Sequence, residues 1–149
     1  DEAKITVLGV PDTPGLAYQI LGPVSDANIE VDVIVQNVAE DNTTDLTFTV
    51  SRNDLAKAEA IVRELVQKTG AREVKTDNKI AKVSLVGVGM RSHAGIASKM
   101  FKTLAEESIN IQLITTSEIK ISVVVDEKYL ELAVRALHAA FDLDKEPST

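Results

Sequence analysis

An α+β chain of two tandem βαββαβ domains, the second without its last strand, is what these 149 residues predict from three features. A β-branched run ending at a glycine occurs twice. Each run leads through a short polar loop to an apolar stripe at helical spacing. The elements that follow the stripe then recur in the same order.

Ile5, Val7, Leu8, Gly9 and Val10 return 78 places later as Val83, Leu85, Val86, Gly87 and Val88, and both runs read as strands. The loops are Pro-Asp-Thr-Pro at 11–14 and Gly-Met-Arg-Ser-His-Ala at 89–94, and each reaches a glycine, Gly15 or Gly95, that opens a helix. Leu16, Ala17, Ile20, Leu21 and Val24 form the first core-facing stripe. Ile96, Ala97, Met100, Phe101 and Leu104 repeat it 80 places on. Pro23 removes the hydrogen bond to the Gln19 carbonyl, so the first helix should kink or loosen there.

Ile29, Val31, Val33 and Ile34 give a second strand, and Ile109, Ile111, Leu113 and Ile114 repeat it at the same offset of 80. For the third strand, Leu46, Phe48 and Val50 align with Ile119, Ile121 and Val123 at an offset of 73, which assigns the first copy seven extra residues at 38–44. On that alignment Thr44-Asp45 matches Ser117-Glu118, a hydroxyl followed by an acid at the start of both strands.

The second helix spans 54–69, with Asn53 or Asp54 as N-cap, Leu55, Ala58, Ile61, Val62, Leu65 and Val66 as its stripe and Gly70 as its stop. Its counterpart spans 129–141, with Leu130, Val134, Leu137 and Phe141 inward. A last strand follows at 73–76 in the first copy, whereas the second runs into the polar tail DLDKEPST. The domains are thus 1–79 and 80–149, each ferredoxin-like, with two helices on one face of an antiparallel sheet. A missing strand leaves an edge to be covered. Asp1 opens the chain without a methionine and a strand follows at once, the expectation for a segment of a longer protein or a chain that has lost its initiator. Residues preceding Asp1 in a longer protein would supply the missing strand.

Composition narrows function. Hydrophobic residues make up 44% and charged residues 26%, ordinary for a chain that buries a core. No apolar run approaches the roughly 20 residues that span a bilayer, so a cytoplasmic chain without membrane contact is expected. A net charge of −7 with no basic cluster opposes nucleic-acid binding. Phe48 is the lone strand aromatic, where RNA-binding ferredoxin-like folds need several. There is no cysteine, and His93 and His138 stand apart, which opposes disulfides, thiolate metal sites and any metal centre. His93 reads as a loop or cap residue and His138 as a solvated helix residue. Gly87-Val-Gly89 begins like a dinucleotide fingerprint, yet Ser92 occupies the third glycine position and no parallel βαβ series follows. No catalytic constellation is present, and no cofactor is expected.

The loop before each helix has a chemical use. The first N–H groups of a helix lack partners within it and carry partial positive charge, so they can receive a carboxylate. In the first copy Asp12 adds an acceptor for an ammonium, a pairing that suits a free amino acid. Asp12 or Thr13 would serve equally as a helix cap or turn former.

The whole pattern, ITVLGVPDTPGLA at 5–17, VQNVAEDNTTDLTFTV at 35–50, KVSLVGVGMRSHAGIASKMF at 82–101 and INIQLITTSEIKISVVV at 109–125, closely resembles the paired ACT domains that end bacterial aspartate kinases. In some members this region is a separate regulatory subunit. The resemblance implies binding of lysine, threonine or both at interfaces between ACT domains. It implies homodimers joined through those domains, and feedback inhibition of a catalytic domain that phosphorylates aspartate and is absent here. It assigns effector contacts to Asp12, Gly15, Ala17, Gln36 and Asn37 in the first copy, with Asp32 also facing an effector. In the second copy it assigns Ser92, His93, Gly95, Asn110, Thr116, Ser117 and Glu118. The second loop has no acid, so the two sites should differ. A structural dimerisation module with vestigial loops, or an ACT sensor of another amino-acid enzyme, remains the alternative.

Overall fold

The computed structural model describes residues 2–39, 41–87 and 93–141, and of His93 the backbone alone. The polar tail expected from residue 142 and the loop at 88–92, Ser92 with it, lie outside the described residues. The chain divides into two compact units, Asp1–Asn78 and Lys79–Thr149.

The first unit runs β1 (Glu2–Pro11), α1 (Leu16–Asp26), β2 (Val31–Val38), β3 (Thr43–Ser51), a 3-10 turn (Arg52–Asp54) and α2 (Leu55–Thr69), and is closed by the start of β4 (Glu73–Val86). Its strand order is β2-β3-β1-β4, with β3 antiparallel to both neighbours, the ferredoxin-like arrangement. Period-two alternation places Ala3, Ile5 and Val7 of β1 and Leu46, Phe48 and Val50 of β3 on one buried face. Ile20, Val24, Ala58 and Val62 of the two helices complete that core.

The second unit uses the end of β4, then α3 (His93–Glu106), β5 (Leu113–Thr116), β6 (Lys120–Asp126), a 3-10 turn (Glu127–Tyr129) and α4 (Leu130–Ala140). Its order is β4-β6-β5, three strands among the described residues. Met100, Leu104, Ile121, Val123, Val125, Ala133 and Leu137 form its core.

The register changes the repeat alignment. Ile5 faces Phe48 and Val7 faces Leu46, while their counterparts Val83 and Leu85 face Val123 and Ile121. The offset between β3 and β6 is therefore 75 rather than 73, and it also relates the 3-10 turns and the starts of α2 and α4. The first unit carries five extra residues, not seven, and Asp45 matches Lys120. A shift of two residues keeps the same face of a strand inward, so hydrophobic alternation could not detect it. Ile119, expected inward, is 52% exposed.

Other boundaries also move. Strands expected at 73–76 and from 82 are one strand, β4, because residues 77–81 contain neither glycine nor proline and Ile80 and Ala81 are buried. Ile29 and Ile109 precede their strands instead of opening them. Each donates its N–H to the helix behind it, Ile29 to Val24 O and Ile109 to Leu104 O, after a left-handed residue, Asn28 or Ser108. These are helix-ending motifs with a following apolar contact. Gly95 lies inside α3, which starts at His93, whereas α1 starts only after Gly15. Pro14 disfavours helical geometry at Thr13, and Ala94 imposes no such restriction on His93. α1 continues through Pro23 to Asp26. Asp54 occupies the N-cap of α2 but makes no side-chain cap bond, the entry being a 3-10 turn instead. In α4 the buried stripe is Ala133 and Leu137, with Leu130 and Val134 exposed.

Candidate functional site

The site in the first unit begins where β1 leaves the sheet. Gly15 adopts φ 84, a left-handed geometry that glycine enters without steric cost, and its carbonyl accepts the N–H of Gln19 as α1 begins. A Cβ on Gly15 would meet nothing within 4 Å, so space is open around it. Of the first-turn N–H groups that follow, that of Leu16 is taken by Thr13 O at 3.2 Å, and Gly15 at the N-cap has no side chain to cap those after it. A carboxylate could therefore approach.

Asp12 is exposed beside this turn, and its N–H donates to Asn42 O at 3.0 Å. Ala17 is half-buried in the first turn of α1. Gln36 and Asn37 are exposed on β2, the edge strand of this unit, opposite Leu46 and Asp45. Thr44 pairs with Val38 on one side and with Val10 on the other. That register carries Asp12, Gly15, Gln36 and Asn37 to the same end of the unit.

Asp32 belongs to the opposite end. It lines an open cavity of about 1050 Å³ with Glu2, Asn28 and Ser51, on the side where α1 finishes. A second cavity, of about 420 Å³, lies beside the start of α1 and is lined by Thr13, Leu16, Gln19, Lys68 and Thr69.

In the second unit Thr116 ends β5 opposite Ile121, the register position that Gln36 has opposite Leu46. Ser117 donates its N–H to Lys120 O at 2.7 Å, closing a turn in which Glu118 is exposed. Gly87 donates its N–H to Ile119 O at 2.9 Å, so this turn borders the strand end that leads toward α3. Gly95 is exposed in the first turn of α3. Asn110 lies at the far end, in the segment between α3 and β5, and is not brought to Thr116. Ser92 and the His93 side chain lie outside the described residues.

The chain is similar to known proteins along nearly its whole length. ACT-domain family profiles match residues 4–67 and 83–141, one in each unit. An aspartate kinase of Pseudomonas fluorescens is 71% identical over 144 residues, covering 97% of this chain. A crystal structure of aspartokinase alpha and beta subunits superposes with a TM-score of 0.89 at 58% identity, covering 95% of this chain and 93% of that one. The regulatory subunit of aspartate kinase from Thermus thermophilus, in its ligand-free form, gives a TM-score of 0.88 at 37% identity with the same coverages. The chain belongs to the aspartate kinase family, as a pair of its regulatory ACT domains. It spans 35% of the length of the Pseudomonas relative.

In this ACT pair several residues shape the first site through contacts that their spacing in the sequence does not show. Gly9 adopts φ 66 and donates its N–H to Asp45 Oδ1 at 2.9 Å. Asp41 accepts the Thr43 hydroxyl at 2.6 Å and the Thr43 N–H at 3.2 Å, fixing the turn that contains Asn42. Those bonds, with the Arg72 charge nearby, hold the Asp41 carboxyl below its ordinary range. The Asp41-Asn42-Thr43 triplet is the sequence trace of such a turn. Among the described residues no three His, Cys, Asp or Glu side chains group as metal ligands, and no helix is long and apolar enough to cross a membrane.

Proposed function

We propose that this ACT pair senses lysine, threonine or both, and that occupancy inhibits an aspartate-phosphorylating kinase domain in the same protein or complex. The observation that carries this reading is the open start of α1 at Gly15, without a capping side chain at that residue, beside exposed Asp12. The effector carboxylate would lie against the first-turn N–H groups and its ammonium against Asp12, with the amides of Gln36 and Asn37 within reach. The side chain would be selected by polar partners, since a buried polar group left unpaired costs about 1–3 kcal/mol.

The second unit offers a different set. Thr116, Ser117 and Glu118 lie beside Gly87, and Glu118 takes the part that Asp12 has in the first unit. The reading includes a homodimer, so that a ligand favouring one arrangement of chains shifts their association. Kinase activity belongs to the catalytic domain and is not expected of this chain.

Calorimetric titration of the chain with each of the twenty amino acids tests the reading. Heat from lysine or threonine alone supports it. No binding to any of them would make the pair a structural module, and a different amino acid would make it the sensor of another pathway.

A further inference from the structure

We infer that Asp45 is the positioning residue of the effector loop in the first unit, setting the place of Asp12 and of the α1 start and hence the strength of amino-acid binding there. The inference rests on the reading that this loop binds an amino acid.

Val7 faces Leu46 and Val10 faces Thr44, so Leu8 and Gly9 together stand opposite the single residue Asp45. Two residues against one is a β-bulge, which bends the strand and leaves a ladder group unpaired. Here the N–H of Gly9, at φ 66, is taken by Asp45 Oδ1 at 2.9 Å in a half-buried setting. The bulge shifts the alternation by one residue, so that Gly9 and Val10 are both buried and β1 ends at Pro11, just before Asp12 and Gly15. A second tie comes from the same stretch: Asp12 N–H donates to the carbonyl of Asn42, three residues before Asp45, in a turn closed by Asp41 and Thr43. Both fixings of the loop therefore come from 42–45.

The second unit offers a contrast as far as Gly87. Lys120 stands at the position of Asp45, and β4 pairs with β6 without interruption from Ile80 to Val86. The N–H of Gly87, the counterpart of Gly9, goes to the backbone oxygen of Ile119 instead. Where Lys120 replaces the carboxylate, the glycine N–H is satisfied by the backbone.

The test combines amide NMR of the ligand-free chain with calorimetry, using threonine and lysine as probes. Asp45→Ala should displace the amide signals of Gly9, Asp12 and Gly15 and weaken the effector by at least about tenfold, the scale of one charge-assisted hydrogen bond. Asp45→Asn retains an acceptor oxygen and should stay within about threefold. Thr47→Val removes the 3.1 Å hydroxyl pair with Thr6 in the same two strands and should leave affinity unchanged. Should Asp45→Ala not fold, Asp45→Glu lengthens the reach by one methylene and should displace the same amides and weaken binding.

Loop amides left in place by Asp45→Ala, or displaced without loss of affinity, overturn the inference, as does equal weakening by Thr47→Val. If Asp45→Glu is the variant used, unchanged affinity overturns it too. A wild-type chain that binds neither amino acid overturns the binding reading and the affinity claim with it, while the amide shifts alone still decide whether Asp45 places the loop.

Discussion

Arg72 lies so close over Gly9 that a Cβ placed on the glycine would sit 2.9 Å from Arg72 Cβ. Arg72 cannot withdraw easily, because its own N–H is bonded to Leu8 O at 2.8 Å. Gly9→Ala therefore meets backbone strain at φ 66 and a steric contact together. The expected loss is about 1–3 kcal/mol, read as a lower denaturation midpoint with an unchanged denaturant slope. An unaltered midpoint would mean that the bulge relaxes at no cost.

Thr44 is fully buried, and its hydroxyl has no hydrogen-bond partner among the described residues. Valine has nearly the same shape and no group to desolvate. Thr44→Val should stabilise the first unit by roughly 1 kcal/mol, seen as a higher melting temperature. A loss of stability would show that the hydroxyl has a partner in solution, such as an ordered water.

The acid range offers a third check at Asp41. The Thr43 hydroxyl, the Thr43 N–H and the Arg72 charge favour its ionised form and hold the carboxyl below the ordinary 3.8. A depressed folded-state value contributes stability above the unfolded value, and that contribution is lost as pH falls through the depressed one. Thr43→Val removes the 2.6 Å hydroxyl bond, so the Asp41 side-chain carbon should titrate closer to 3.8 by NMR. Identical titration in the two proteins would remove the hydroxyl from this account.

Association is the fourth expectation. β2 ends the sheet of the first unit and presents Ile34 and Val38, 51% and 64% exposed, an edge that invites pairing. If two chains join and effector binding depends on it, the effector must tighten association by the same factor that association tightens the effector. Sedimentation over a range of concentrations, with and without threonine and lysine, should show this reciprocity. A monomer whose mass and effector affinity are both independent of concentration would contradict it.

The elements were legible in the sequence because each half repeats the same buried faces: Ile5, Phe48 and Val62 in one, Val83, Val123 and Leu137 in the other, all buried. Spacing alone could not resolve the loops. The β3 alignment slipped by two residues because Leu46 and Ile119 have the same inward parity and similar side chains. The counterpart of Leu46, Ile121, is visible only in the register, where Leu46 faces Val7 and Ile121 faces Leu85. At the site, Asp12, Gly15, Gln36 and Asn37 were recognisable as residues and share one end of the first unit. Asp32 and Asn110 lie at the other ends of their units. Asp45 reads as an acid opening a strand, and nothing in its spacing to Gly9 shows a bond across 36 residues.

In the proposed function Asp12, beside the start of α1, holds the ammonium of a bound amino acid. Its most direct test is a paired calorimetric titration of wild type and Asp12→Ala with lysine and threonine at matched concentration. Asp12 is exposed, so the variant should keep its melting temperature, while affinity in one site falls by about 1.5–3 kcal/mol, the scale for a hydrogen bond to a charged group. Equal affinity of the two proteins for both amino acids would contradict the account and leave Asp12 as a residue of the turn.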